Sequence, residues 1–211
     1  MSGARLPPNL LALTPGDGAP DLCARVARAA AAGLRGVLLR EPQLEDRACL
    51  SLARELARAL APWPDAWLGL HDRPHLALAA GAAGVHLGGA SLAPAQVRPW
   101  LAPAVALGCS SHASDDPARW RGADYLLHAP FGAVPGKGAA LGPTGLAAAV
   151  RAAPCPVWAL GGIGPGDVAA ALGAGASGVA VLRGLLGSAD PARATLAYLA
   201  GLEGRSASMR P

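Results

Sequence analysis

The stretch Pro156-Val157-Trp158-Ala159-Leu160, followed by Gly161-Gly162-Ile163-Gly164-Pro165, decides the fold reading of this chain. A short apolar run ends in a glycine turn, Gly166 to Ala174 has the composition of a short helix, and Gly178-Val179-Ala180-Val181-Leu182 is a second apolar run. Two such runs separated by one helix describe consecutive parallel strands, buried on both faces. Glycines at the strand ends let backbone N–H groups approach a ligand without a Cβ in the way. If the chain is a barrel, this stretch supplies its last two strands, where such folds commonly bind phosphate.

Working outward, the same alternation continues. Asn9 to Thr14 is short and apolar, and Pro20 to Ala32 has helical spacing of Leu22, Val26 and Ala29. Gly36-Val37-Leu38-Leu39-Arg40 is a strand that ends on a charge, and Leu44 to Ala61 is helical until Pro62. Trp67-Leu68-Gly69-Leu70 runs into His71-Asp72-Arg73-Pro74, with a short helix to Ala80, and Gly84-Val85-His86-Leu87 is the next strand. Pro94 to Leu101 reads as helix, Val105 to Ser110 as strand, and Asp116 to Arg121 as a short helix with an Asp-Pro start. Tyr125-Leu126-Leu127-His128 precedes a helix from Thr144 to Ala153, and Pro191 to Leu202 is the last helix. A local phrase recurs at Ala32-Gly33-Leu34-Arg35-Gly36-Val37, Ala80-Gly81-Ala82-Ala83-Gly84-Val85, Arg121-Gly122-Ala123-Asp124-Tyr125 and Gly175-Ala176-Ser177-Gly178-Val179. Each copy is a helix-ending glycine and a tight turn into a strand. The predicted class is α/β, a single (β/α)8 TIM barrel over residues 1–203, with 204–211 as a flexible tail; a doubly wound sheet is the runner-up.

Composition bounds the function classes. A chain of 211 residues fits one domain with a full core, although a single phenylalanine means that small and aliphatic side chains must fill it. No long apolar segment free of Pro, Gly or charge is present, and the start carries no apolar leader, which predicts a soluble cytoplasmic protein with no membrane partner. Cys23, Cys49, Cys109 and Cys155 show no C-x-x-C spacing and read as reduced, mostly buried residues. Eighteen lysines and arginines against fourteen acids give +4, but the arginines are spread along helices. Without a basic block interleaved with aromatics, no nucleic-acid partner is expected. The single lysine, Lys137, stands apart in a glycine-rich loop.

In a barrel, strand C-termini and the loops after them form the active site. Those positions hold Thr14, Arg40, Glu41, His71, Asp72, Arg73, His86, Ser110, Ser111, His112, His128, Lys137, Gly161, Gly162 and Arg183. Cationic and titratable residues thus collect at one end of otherwise apolar strands, which points to an enzyme or a small-anion binder.

These residues carry a resemblance. Leu39-Arg40-Glu41, His71-Asp72-Arg73, Gly84-Val85-His86-Leu87-Gly88, Gly108-Cys109-Ser110-Ser111-His112, Asp124-Tyr125 with Pro130, Lys137-Gly138, Gly161-Gly162-Ile163 and Gly178-Val179-Ala180-Val181 stand in order. From about Leu10 to Leu202 the chain resembles the thiamine phosphate synthase/TenI family, whose fold is a (β/α)8 barrel. The resemblance implies that Arg40, Asp72, Ser110 and Lys137 bind substrate and that Gly161, Gly162, Val181, Leu182 and Arg183 hold a thiazole phosphate. In the synthases, which join a pyrimidine methyl pyrophosphate to a thiazole phosphate, Asp72 would be one of two Mg2+ carboxylates.

The chain departs from the synthase pattern at several positions. Leu38 stands for the family's Gln, Pro42 for its Lys, His71 for Asn, Ser91 for the second magnesium Asp, and Val134-Pro135-Gly136-Lys137 for its hydroxyl-bearing pyrophosphate grip. Asp115 or Asp116 is a candidate substitute ligand. The retained phosphate cup resembles the metal-independent TenI branch, a thiazole tautomerase that needs one acid/base near neutral pKa. That branch places its histidine at the position of Pro130. His128, two residues earlier and on the same strand face by period two, is the first candidate for the role, and His71 is the second. Arg183, where the family usually has serine, either adds a phosphate contact or points to solvent. The expectation is a tautomerase with no cofactor. The alternatives are a divergent synthase using Mg2+ and a non-catalytic phosphate-ligand binder, and a homo-oligomer is compatible with each.

Overall fold

The computed structural model describes residues 3–208. Eight parallel strands close into one barrel in sequence order: β1 (Leu10–Leu13), β2 (Gly36–Leu39), β3 (Trp67–His71), β4 (Gly84–Leu87), β5 (Ala106–Ser111), β6 (Tyr125–His128), β7 (Val157–Leu160) and β8 (Gly178–Val181). The closure is the pairing of β8 with β1, where Leu11 lies opposite Ala180. Helices α1 (Leu22–Ala31), α2 (Asp46–Leu60), α3 (Ala77–Ala80), α4 (Pro94–Val97), α5 (Gly142–Ala152), α6 (Val168–Gly173) and α7 (Pro191–Ser208) lie outside. The (β/α)8 barrel read from the sequence is the observed fold, and no helix among the described residues is long and apolar enough to cross a membrane.

Two local expectations change. Between β5 and β6 the predicted short helix is only a 3₁₀ turn, Pro117–Trp120, in which Trp120 is the single buried residue. One anchor gives no apolar stripe for a full helix to bury. The last helix continues past Gly204 to Ser208, because a glycine ends a helix only when it takes the left-handed cap conformation. The tail predicted from 204 is therefore helical as far as Ser208, and 209–211 lie outside the described residues.

Strand alternation sorts side chains into two cores. Val37, Leu39, Leu70, Val85, Leu107, Leu126, Val157 and Val179 face the helices. Leu11, Leu13, Leu38, Trp67, Ala106, Tyr125, Leu127, Trp158 and Ala180 fill the barrel. Three aromatics occupy much of that interior, and glycines on the same and adjacent strands make room for them. A Cβ at Gly84 would lie 2.2 Å from Trp67, one at Gly108 2.2 Å from Tyr125, and one at Gly178 2.5 Å from Trp158. Tyr125 meets Trp67 and Trp158 edge-on, with ring centroids 6.2 and 5.8 Å apart. The indole N–H groups of Trp67 and Trp158 donate to the carbonyls of Arg5 and Pro8, so the N-terminal segment seals the barrel floor. This packing leaves the opposite, C-terminal end of the strands open.

Candidate active site

The same parity that places the aromatics fixes which residues reach the open end. Continuing each interior row upward gives Arg40 after Leu38, His71 after Gly69, His86 after Gly84, Ser110 after Gly108, Gly162 after Leu160 and Leu182 after Ala180. All six line a cavity of about 700 Å³, together with Asp72, Lys137, Gly161, Val181 and Arg183. Leu13, Leu127, Leu160 and Ala180 form its apolar base.

His128 is the correction. It lies on the outward row with Leu126, is only 3% exposed, and its Nδ1 sits 2.9 Å from the Ser111 hydroxyl, while Nε2 is buried without a partner. It does not line the cavity. The period-two argument linking it to Pro130 fails because β6 ends at His128. Beyond the strand, alternation no longer applies, and Ala129 and Pro130 both face the cavity. Burial and the nearby His112 push the His128 imidazole below its ordinary value, against an opposing pull from Asp115.

One wall of the cavity is backbone. Gly161 and Gly162 both have positive φ, +89° and +66°, and Gly162 packs so closely on the β6–α5 loop that a Cβ would lie 2.5 Å from the Gly132 carbonyl carbon. The loop extends the barrel ladder here: Phe131 N–H donates to Leu160 and Gly132 N–H to Gly161. Gly184 completes the cup beyond β8, beside the exposed Arg183. Successive glycines in such conformations leave amide groups open to an anion.

The facing wall is made of side chains held by loops. Asp72 has φ +55°, the one positive-φ residue other than glycine among the described residues. Its Oδ1 accepts from Gly88 N–H at 2.8 Å and from the Ser91 hydroxyl, and its Oδ2 is 3.2 Å from His71 Nδ1. Among the described residues Asp72 is also the only carboxylate lining the cavity, against Arg40, Lys137 and Arg183. That balance suits a polyanionic ligand. Arg40 enters beneath the β1–α1 loop, and its N–H donates to the buried Thr14 hydroxyl. The buried Glu41 accepts from Gly16 N–H, Gly18 N–H and the Gln43 amide, and so ties that loop to the end of β2.

Burial works against charge on the two histidines of this wall, His71 and His86. His86 Nε2 lies 3.1 Å from the Ser110 hydroxyl, and full burial, with His71 beside it, holds its imidazole well below the ordinary value. Burial also lowers His71, opposed by Asp72 and reinforced by Arg40 and Arg73.

Several rim residues turn elsewhere. Arg73 pairs with Asp46 and donates to the Leu44 carbonyl. Asp116 caps the 3₁₀ turn by accepting from Ala118 N–H, and Asp115 accepts from His112 N–H. Neither aspartate lines the cavity as a substitute ligand. Sequence reading missed Ser91 as the partner of Asp72 and Glu41 as the tie of the first loop. The second had a signal, an acid directly after Arg40 facing a Gly-Asp-Gly turn.

A magnesium ion keeps several waters and takes one or two protein carboxylates plus substrate phosphates. Asp72 with the Ser91 oxygen beside it fits that mode, although no group of three or more metal-ligating side chains occurs among the described residues.

Residues 10–185 match the family model described as thiamine monophosphate synthase. The thiamine-phosphate synthase of Anaeromyxobacter dehalogenans is 38% identical over 200 residues, covering 90% of this chain and 89% of that one. The thiamine-phosphate synthase of Albidiferax ferrireducens is 40% identical over 176 residues, covering 81% and 80%. Among solved structures, a thiamine phosphate pyrophosphorylase from Pyrococcus furiosus superposes with a TM-score of 0.82 at 26% identity, over 93% of this chain and 96% of that one. With its barrel, its glycine cup and its matched span in agreement, this chain belongs to the thiamine monophosphate synthase family.

Proposed function

We propose that this protein is a thiamine-phosphate synthase, joining a pyrimidine methyl pyrophosphate to a thiazole phosphate. The observation that carries the reading is one cavity with two unlike anion sites. A glycine cup stands at Gly161, Gly162 and Gly184, a carboxylate-plus-cation wall stands opposite at Asp72, Arg40 and Ser110, and Lys137 reaches the cavity from the loop between β6 and α5. A proton shift on a single thiazole phosphate would use only the first. The relatives named as synthases at 38–40% identity support the same choice. The tautomerase expected from the sequence loses its support on both counts, since His128 faces the helices and the relatives carry synthase names.

In this reading the cup and Arg183 hold the thiazole phosphate, and the apolar base seats the rings and keeps water from the reacting carbon. The thiazole nitrogen forms the new bond to the pyrimidine methylene carbon while its bond to the pyrophosphate oxygen breaks, and the pyrophosphate leaves with the electron pair. Arg40, Lys137 and the Ser110 hydroxyl meet the charge that develops on that oxygen, where fixed donors in a dry site act most strongly. His86, held neutral by burial, orients the Ser110 hydroxyl. Asp72 and Ser91 would hold Mg2+, which when bound offsets the charge of the departing pyrophosphate.

The test is turnover of both substrates with Mg2+. Thiamine phosphate is expected, with kcat in Asp72→Asn reduced roughly 100-fold. Activity in His128→Gln should stay within about threefold, since that ring lies outside the cavity. Absence of product alongside conversion of a thiazole carboxylate phosphate tautomer would overturn the reading.

A further inference from the structure

Asp72 adopts a backbone conformation that side chains other than glycine rarely take; the His86 carbonyl holds its N–H at 2.9 Å, and its carboxylate is met by a loop that carries little stiffness of its own. Gly88-Gly89-Ala90-Ser91 contains two adjacent glycines, yet it must present the Gly88 N–H and the Ser91 hydroxyl to one carboxylate oxygen. Within the loop, Ser91 N–H donates to the Gly88 carbonyl at 3.2 Å. The remaining constraint comes from another segment. Arg119, on the 3₁₀ turn between β5 and β6, brings Nη2 to the carbonyls of Gly89 at 2.5 Å, Ser91 at 3.0 Å and Gly88 at 3.5 Å. The turn is itself anchored by the buried Trp120 and capped by Asp116. The short turn sets Arg119 against the neighbouring loop.

We propose that Arg119 is a positioning residue for the anion site. It clamps the 88–91 loop from behind, so that Gly88 and Ser91 hold the Asp72 carboxylate facing the cavity. A guanidinium suits the task because its planar fork carries several donors at fixed directions, which an ammonium on a flexible stem does not. Arg119 does not line the cavity, so its effect on a ligand would pass through the loop and Asp72. The proposal rests on the synthase reading only in assigning Asp72 to the pyrophosphate side.

The experiment compares Arg119→Met and Arg119→Lys with the wild-type chain by amide hydrogen exchange at Gly88 and by calorimetric titration with magnesium pyrophosphate. Arg119→Met should lose protection at the Gly88 amide and weaken magnesium pyrophosphate by about tenfold, the size expected for loss of an outer partner of a ligating group. Arg119→Lys should fall between the two, and it carries the test if the Met variant folds poorly. In an Asp72→Asn background the Met substitution should change Kd no further, because the two residues act as one unit. Unchanged Gly88 exchange, or a loss of affinity that persists in full without the Asp72 carboxylate, would overturn the proposal. A wild-type chain that binds no magnesium pyrophosphate would instead overturn the proposed function, and the exchange measurement would still decide whether Arg119 fixes Asp72.

Discussion

The two walls of the cavity are built on opposite plans. The cup at β7 and β8 is backbone: Gly161 and Gly162 in left-handed conformations, Gly161 close against Pro130 and Val134, and Gly162 against Gly132 and Ala133. The wall at β2 to β5 is side chain, and its parts are held from behind, Glu41 tying the loop over Arg40 and Arg119 clamping the loop over Asp72. A backbone site tolerates any neighbour that leaves the glycines alone, whereas a side-chain site depends on partners carried by the loops of neighbouring strands. The difference teaches which wall can be rebuilt: side chains can be exchanged together with their partners, whereas a positive-φ backbone accepts only glycine without strain. The departures from the synthase pattern at Leu38, Pro42, His71, Ser91 and Val134 to Gly136 fall on the side-chain wall or in the lysine loop, whereas the cup keeps its glycines and differs only beside them, where Arg183 replaces the usual serine.

If this contrast is right, the largest effect belongs to the cup. Gly162→Ala places a Cβ 2.5 Å from Gly132 and forces a side chain into φ +66°, so backbone must move. The left-handed conformation alone costs about 1–2 kcal/mol. Thermal melting should show a Tm lower by roughly 5 °C or more, and titration should show loss of thiazole phosphate binding; a variant that binds normally would break the comparison. A middle effect is expected from Glu41→Gln, which keeps the shape but replaces an acceptor oxygen facing the Gly16 and Gly18 amides with a donor. Leaving a buried donor unmatched costs about 1–3 kcal/mol. Steady-state kinetics should show a KM for the pyrophosphate substrate raised by about tenfold, in line with that cost, with kcat much less affected. An equal loss in both parameters would show that Glu41 does more than tie the loop.

The smallest effect concerns acid. His71, His86 and His128, all on β3 to β6, are held below the ordinary histidine value of 6.5, chiefly by burial. The unfolded chain therefore binds more protons than the folded one as pH falls below 6.5, and stability falls with pH in that window. Melts from pH 7.5 to 5.0 should show a declining Tm, while the cup carries no histidine to contribute. A Tm that rose toward pH 5 would reverse the sign and discard these histidines as buried neutral groups.

Much of the molecule was legible in the chain itself. Alternating apolar runs and helix-ending glycines specify the barrel because both follow from local geometry, a period of two and the need for positive φ at a turn. The ring of candidate residues followed from the same rule, since a barrel's chemistry sits at strand ends, and Arg40, His71, Asp72, Ser110, Lys137, Gly161 and Arg183 all reach the cavity. What the chain order did not contain was where each alternation stops. His128 and Pro130 share a parity on paper, but only the closed sheet shows β6 ending between them, with His128 turned to the helices and Pro130 to the cavity. Nor did it contain the ties between loops: Ser91 and Arg119 converge on Asp72 from β4 and β5 because neighbouring strands bring their ends together. Local sequence sets the conformation of each strand and turn, and contacts between residues distant in the chain exist only once the barrel closes.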